Sequence, residues 1–215
     1  MIAAAGSGQR LGAGGPKAFV ELAGRPLIEW SLAALADASR VERIVVAAPP
    51  GHDVELAGAD VVAGGETRAE SVRLAMEAVE SELVVIHDAA RPLATPQLFD
   101  RVIARLAESG ADGVIAAAPV ADTLKRAGEG EAIAATVDRS ELWAAQTPQA
   151  FPSETLRRAQ AAGDLEAATD EAWLIERLGG TVLLAAVDEP NPKVTTAADL
   201  EVAAALLASR RRAGR

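Results

Sequence analysis

Short apolar runs alternate with segments whose apolar residues recur every three or four positions, and this alternation confines the chain to a layered α/β fold. Residues 2–5, 44–48, 60–63, 83–87 and 113–118 read as strands, the second halted by Pro49-Pro50. Between them, Ile28, Leu32 and Leu35 fall at i, i+4 and i+7, as do Val72, Met76 and Val79, and Leu98, Val102 and Leu106 line the face of a third helix. That third helix is expected to open at Thr95-Pro96 and to stop before Gly110. Strands alternating with helices imply a mostly parallel sheet joined by crossover helices. Ligands of such sheets bind beyond the carboxyl ends of the strands, so the residues following each strand are where chemistry is sought.

The alternation breaks after Pro119. Residues 122–126 and 132–137 read as two strands around Gly128-Glu129-Gly130, a hairpin with a loose turn that stands outside the sheet. Helices are expected at 153–162 and 169–178, a last strand at 181–187 and a closing helix at 197–212. No internal repeat or linker interrupts the 215 residues, so residues 1–215 are read as one domain with residues 119–140 as an arm. Half of the residues are apolar but only 3% are aromatic, which suits helices packed closely on a sheet through small aliphatic side chains.

Composition removes several chemistries. The chain has no cysteine, which excludes disulfides, thiolate metal sites and a cysteine nucleophile. Two histidines, His52 and His87, are too few for a histidine zinc site. The N-terminus lacks the basic region and apolar run of a signal peptide, and no stretch approaches the roughly 20 apolar residues of a membrane span. A cytoplasmic protein with no membrane contact is expected. The formal net charge of -10 argues against non-specific nucleic-acid binding. It leaves room for a nucleotide, because a few cations focused in one cleft outweigh a distant acidic surface.

The first strand runs into Ala4-Ala5-Gly6-Ser7-Gly8-Gln9-Arg10-Leu11-Gly12 and then Gly14-Gly15-Pro16-Lys17. Glycines let backbone N–H groups approach a triphosphate, and Arg10 and Lys17 add positive charge to the same loop. A Walker A loop would need Gly-Lys-Ser/Thr, whereas Ala18 follows Lys17. A dinucleotide fingerprint would need an acid ending the second strand, which instead ends Ala47-Ala48-Pro49. The third strand leads into Gly64-Gly65-Glu66-Thr67-Arg68-Ala69-Glu70-Ser71. Thr67 and Glu70 have the spacing of a capping box, and Arg68 and Ser71 sit in the first turn where N–H groups face a ligand. The fourth strand ends His87-Asp88-Ala89-Ala90-Arg91-Pro92, with Asp88 placed for a metal or sugar contact, or more plainly for capping a turn. Arg91 has a solvated charge as its plainer reading, and His87 reads as a strand residue. Thr169, Asp170 and Glu171 read as the cap and first-turn acids of a helix. Lys193, in a proline-broken loop after the last strand, faces the carboxyl-end cleft.

Taken together, AAAGSGQR with its following PK, GGETRAESV, HDAARP, PVADTLKR, TVDR, QTPQAF, TDEA and NPKVTTAADL span essentially the whole chain. The set resembles the 2-C-methyl-D-erythritol 4-phosphate cytidylyltransferases of the non-mevalonate isoprenoid pathway. The resemblance implies a Rossmann-like sheet of the nucleotide-diphospho-sugar transferase type with a hairpin arm, and a homodimer formed through that arm. It implies transfer of CMP from CTP to methylerythritol 4-phosphate with release of pyrophosphate, and Mg²⁺ bridging the triphosphate. It places Ala4, Ala5, Gly6, Ser7 and Gly8 on the CTP phosphates, with Arg10, Lys17 and Lys193 as the catalytic charge stabilisers. Gly65, Glu66, Arg68, Ser71 and Ala89 would surround cytosine and ribose. Asp88, Arg91, Thr123, Arg139 and Thr147 would bind the methylerythritol phosphate, with Asp88 also a candidate for touching the metal. One departure is the first strand: the family carries several more apolar residues before the glycine loop than the Met1-Ile2 that precede it here. Ribitol-5-phosphate cytidylyltransferases share the fold and the CTP motifs and remain an alternative. A nicotinamide-dependent oxidoreductase is opposed by the missing acid after the second strand.

Overall fold

In the computed structural model, which describes residues 1–6, 8, 11, 15–52 and 54–213, the elements follow one another as the alternation requires. The chain runs β1 (Ile2–Ala3), a small hairpin of β2 (Glu21–Leu22) and β3 (Arg25–Pro26), α1 (Leu27–Ala36), β4 (Val45–Ala48), β5 (Asp60–Ala63), α2 (Arg68–Ala75) and β6 (Leu83–Asp88). It continues through α3 (Pro96–Ser109), β7 (Gly113–Pro119), β8 (Leu124–Ala127), β9 (Ile133–Val137), β10 (Trp143–Pro152), α4 (Ser153–Ala162), α5 (Glu171–Arg177), β11 (Val182–Ala186) and α6 (Ala197–Ala213). Seven strands form one sheet in the order β11-β7-β10-β6-β1-β4-β5. Every neighbouring pair is parallel except those that involve β10.

Successive side chains of a strand point to opposite faces, and here both faces are covered by helices. On one face Val46, Val85, Val114 and Ala116 pack with Ile28, Leu32 and Leu35 of α1 and with Phe99, Val102 and Leu106 of α3. On the other, Val45, Ala47, Val84, Ile86 and Ile115 pack with Val72 of α2, Leu156 of α4, and Leu174 and Ile175 of α5. This is why the strands read as unbroken apolar runs. A third cluster of Leu22, Leu27, Leu93, Val194, Ala203 and Leu207 seats α6. Trp30 strengthens that corner: its Nε1–H donates to the Leu22 carbonyl at 3.0 Å, and the guanidiniums of Arg25 and Arg211 lie 4.8 and 5.3 Å from its ring centroid. Trp143 opens β10 and is 37% exposed, while Trp173 on α5 carries Arg177 over its ring.

Three sequence expectations shift. The first strand is shorter than residues 2–5, although the Ala4 N–H still donates to the Ala47 carbonyl and prolongs the ladder. The last predicted helix before β11 starts at Glu171 rather than Thr169, because the Asp170 carboxylate accepts the Trp173 N–H and caps it. β10 is not anticipated by the sequence. Its middle is Gln146-Thr147-Pro148-Gln149, the Thr147–Pro148 bond is cis, and the register with β7 shifts between Ala145 and Gln149. That polar, proline-bearing stretch shows no strand periodicity, yet it runs antiparallel between β6 and β7. The hairpin β8-β9 forms as expected, pairs only with itself and turns through Gly130 at φ 62°.

A Cβ added at Gly113 would sit 2.7 Å from the ring of Phe151, which is fully buried. Gly113→Ala is therefore expected to lower unfolding free energy by about 1–3 kcal/mol, the usual range for overpacking. Urea denaturation measures it, and an unchanged midpoint would show that Phe151 has room to move.

Candidate active site

The chain steps outward from β1 to β4 and β5, then crosses back to place β6 on the other side of β1. The crevice beyond the carboxyl ends of β1 and β6 is therefore the topological switch point, where open α/β sheets bind ligands. A cleft of about 550 Å³ lies there, lined by Ala3, Ala4, Ala5, Gly6, Gly8, Lys17, Ala18, Arg68, Asp88, Ala89, Ala90, Lys193 and Thr195.

Local rules shape its walls. The loop after β1 closes on itself when the Lys17 N–H donates to the Gly6 carbonyl at 3.1 Å. Gly8 adopts φ 70°, and a Cβ there would approach the Gly15 carbonyl and the Lys17 N–H at 3.0 Å, so glycine is required. Opposite, Thr67 caps α2 by accepting the Glu70 N–H, while the Glu70 carboxylate accepts the Glu66 N–H at 2.8 Å. The Ser71 hydroxyl donates to the Thr67 carbonyl at 2.7 Å and accepts the Gly65 N–H at 3.0 Å. The capping residues thus hold the Gly64-Gly65 turn against the base of the first loop.

Charge is concentrated on the cleft floor. Asp88 ends β6 with 6% exposure. Its Oδ1 accepts from Arg68 Nε at 2.8 Å and its Oδ2 from Lys193 Nζ at 2.6 Å. Burial alone would raise the Asp88 carboxyl, but Arg68 and Lys193 hold it well below the usual carboxylate range. Arg68 Nη1 also reaches both oxygens of Glu171, at 2.9 and 2.8 Å. Burial opposes the Arg68 charge, and the two carboxylates outweigh it, so the guanidinium stays protonated. Burial pushes the Glu171 carboxyl upward against the pull of Arg68. Arg91 has no carboxylate partner among the described residues. Its Nη1 donates to the Asn191 carbonyl at 2.7 Å, its Nε is buried without a partner, and burial lowers its pKa.

Beneath the floor, Thr147 Oγ1 accepts the Asp88 N–H at 3.1 Å, so its own proton is free to go to His87 Nδ1 at 3.0 Å. That leaves the imidazole proton on Nε2, facing the Arg91 carbonyl at 3.1 Å. Asn191 Nδ2 donates to the Thr147 carbonyl and to Gln146 Oε1. β10 is thereby tied to the ends of both β6 and the loop that carries Lys193.

Most of the sequence-selected residues converge here. Ala4, Ala5, Gly6, Gly8, Lys17, Arg68, Asp88, Ala89 and Lys193 line the cleft. Gly65, Glu66 and Ser71 form the cap behind Arg68, and Arg91 and Thr147 lie behind the floor. Thr123 and Arg139, at the two ends of the arm, are exposed and outside this cleft. Ser7 and Arg10 lie outside the described residues. Glu171 reads in the sequence as a first-turn acid, yet it is 1% exposed and paired with Arg68. The first-turn acids of a helix give no sign of a partner 103 residues away. Asn191 and Gln149, both buried, are likewise given no role by the sequence.

The described residues hold no group of three or more His, Cys, Asp or Glu side chains able to cage a metal ion. Asp88 is the one carboxylate among the described residues that line the cleft, and both its oxygens are engaged.

A model of the 2-C-methyl-D-erythritol 4-phosphate cytidylyltransferase family matches residues 1–209. The chain is 50% identical to the enzyme of that description from Deinococcus radiodurans, over 96% of this chain and 88% of that one. It is 44% identical to the one from Saccharopolyspora erythraea, over 97% and 98%. The crystal structure of the 2-C-methyl-D-erythritol 4-phosphate cytidylyltransferase from Thermus thermophilus superimposes with a TM-score of 0.82 at 35% identity, covering 96% of this chain and 98% of that one.

Burial lowers the His87 pKa from 6.5 to about 4. As pH falls below 6.5 the unfolded chain takes up this proton first, so stability that is full above 6.5 is lost down to about 4. Relative to His87→Asn, the native protein should lose on the order of 3 kcal/mol more over that window. Denaturant titrations at several pH values measure it, and parallel slopes for the two proteins would show that His87 titrates as it does in the unfolded chain.

Proposed function

The chain belongs to the 2-C-methyl-D-erythritol 4-phosphate cytidylyltransferase family, and we propose that the switch-point cleft is where it performs the family reaction, with the division of labour below. The enzyme transfers CMP from CTP to 2-C-methyl-D-erythritol 4-phosphate, giving 4-diphosphocytidyl-2-C-methyl-D-erythritol and pyrophosphate in isoprenoid precursor synthesis. An oxygen of the substrate phosphate attacks the α-phosphorus in line. The new P–O bond forms as the bond to the β-phosphate oxygen breaks, and the electron pair leaves with pyrophosphate.

A phosphate monoester is largely dianionic at neutral pH, so no general base is required. The demand is to position two anions and neutralise charge in the transition state. The single observation that carries this assignment is the cationic rim and floor of the cleft, Lys17, Arg68 and Lys193, around a loop that Gly8 must serve as glycine. Ala4, Ala5, Gly6, Ser7 and Gly8 are assigned to the triphosphate, with Arg10, Lys17 and Lys193 stabilising charge at the reacting phosphates. Gly65, Glu66, Arg68, Ser71 and Ala89 are assigned to the nucleoside. Asp88, Arg91 and Thr147 are assigned to the methylerythritol phosphate, and the lack of a carboxylate partner for Arg91 among the described residues supports an anionic guest. Mg²⁺ is proposed to arrive with CTP, offsetting triphosphate charge. No helix of the described residues is long and apolar enough to cross a membrane, which agrees with a proposed cytoplasmic location.

The hairpin of β8 and β9 is assigned to a homodimer contact. A lone two-stranded hairpin is marginal in water, and this one leaves Ile133 68% exposed. Thr123 and Arg139 bound the arm, and Arg139 has no ion pair among the described residues, while Asp138 accepts the Ser140 N–H instead. A two-fold partner would bring these two residues to the neighbouring cleft.

Pyrophosphate release with CTP and methylerythritol 4-phosphate should require Mg²⁺ and stop with a chelator. It should be far slower with ATP, GTP or ribitol 5-phosphate, and equal rates with ribitol 5-phosphate would reassign the polyol. The arm is tested by mixing subunits. Lys17→Ala and Arg139→Ala homodimers should each lose on the order of 10²-fold in kcat, the effect of removing one preorganised charge. A mixed dimer gathers both lesions in one site and leaves the other intact, so up to about half the native activity should return. Mixed dimers that form without recovering activity would place Arg139 in its own subunit's site.

A further inference from the structure

Arg68, Lys193 and Arg91 are compensated in different ways. Arg68 bonds to the carboxylates of Asp88 and Glu171, and Lys193 to that of Asp88. Arg91 bonds to no carboxylate among the described residues. Its Nη1 donates to the main-chain carbonyl of Asn191 at 2.7 Å, its Nε is enclosed without a partner, and its Nη2 has no hydrogen bond among the described residues. Asp88 attracts it electrostatically, but both Asp88 oxygens are already taken. A carbonyl steadies a guanidinium without cancelling its charge. A carboxylate in its place would have to be outcompeted by any anionic guest.

The residue that supplies this carbonyl is itself tightly set. Asn191 is 4% exposed, and its Nδ2 donates to the Thr147 carbonyl at 2.9 Å and to Gln146 Oε1 at 3.0 Å. Its amide joins β10 to the loop after β11, while its carbonyl holds the side chain of the turn after β6. Both side-chain bonds need an N–H donor, which an ionised aspartate of the same shape cannot supply. The amide oxygen, Oδ1, is buried without a partner. An acceptor left in this way costs stability, yet a carboxylate there would place a full negative charge a few ångströms from the guanidinium. Lys193, two residues on, is held separately by Asp88 and by the Val194 N–H, which donates to the Ala90 carbonyl at 2.8 Å.

We propose that Asn191 is a positioning residue: it fixes Arg91 and Thr147 through uncharged groups alone, so that the Arg91 guanidinium keeps its charge for the phosphate of methylerythritol 4-phosphate. This rests on the cytidylyltransferase reading of the cleft, in which Arg91 and Thr147 serve that substrate. Asn191 does not line the cleft and acts through those two residues, so its effect falls on the polyol phosphate and not on CTP.

The test is steady-state kinetics with both substrates. Asn191→Asp should lower kcat/KM for methylerythritol 4-phosphate by about 30-fold or more, while the KM for CTP stays within about threefold. Asn191→Ala, which removes the amide and adds no charge, should lower it by about fivefold, again with CTP unaffected. In an Arg91→Met background the loss from Asn191→Asp should shrink to about fivefold or less, because no cation is left to neutralise. A loss in Asn191→Asp no larger than in Asn191→Ala, the same fractional loss with and without Arg91, or a loss shared by CTP would each overturn the inference. If Asn191→Asp does not fold by circular dichroism, Asn191→Ala decides, and native kcat/KM for the polyol phosphate there overturns it. A native enzyme inactive with both substrates would sink the functional reading and this one with it, whereas an active native enzyme indifferent to Asn191→Asp sinks this one alone.

Discussion

A single carboxylate, that of Asp88, organises the cleft. It lies at the centre of the sheet, nearly out of water, and a buried charge is tolerated only when paired and hydrogen-bonded. Arg68 comes from the start of α2, Lys193 from the loop after β11, and Thr147 of β10 secures the Asp88 backbone. Segments far apart in the chain are thus drawn to one point by the need to compensate one charge. The cost of breaking such a set falls on whichever partner is left alone, so the cluster behaves as a unit.

The electrostatics of the whole molecule and of the site have opposite signs. The chain carries a formal charge of -10, yet its two reactants are anions. The cations are gathered where the sheet opens, and Asp88 and Glu171 neutralise only part of them. A cleft with low-dielectric walls focuses that local field despite the acidic exterior. Arg91, bonded to the Asn191 carbonyl and to no carboxylate among the described residues, adds its positive charge behind the floor.

Much of this is legible in the residues. Parallel strands buried on both faces write themselves as continuous apolar runs, and β4, β6 and β7 fall within a residue or two of where those runs put them. Gly110, in the left-handed region after α3, marks that helix's end for the reason that glycine alone enters that region freely. β10 is hidden because its sheet-forming residues include Gln146, Thr147, Pro148 and Gln149, chosen for contacts at the cleft floor rather than for alternation. Glu171 is hidden because a first-turn acid is sufficiently explained by the helix it begins. Its buried pairing with Arg68 depends on tertiary proximity, which no local spacing encodes. Lys193 is visible because a proline-broken loop after a parallel strand can open only toward the carboxyl edge.

The three tryptophans occupy three mechanically separate places. Trp30 is wedged between two guanidiniums where α1 meets α6, Trp143 stands half-open where the arm returns to the sheet, and Trp173 rides the helix that anchors Arg68. With no tyrosine in the chain, emission from each indole is free of phenolic background. Proteins that each retain one of the three would report, by intrinsic fluorescence alone, on the docking of the last helix, the surroundings of the hairpin and the settling of the cleft floor.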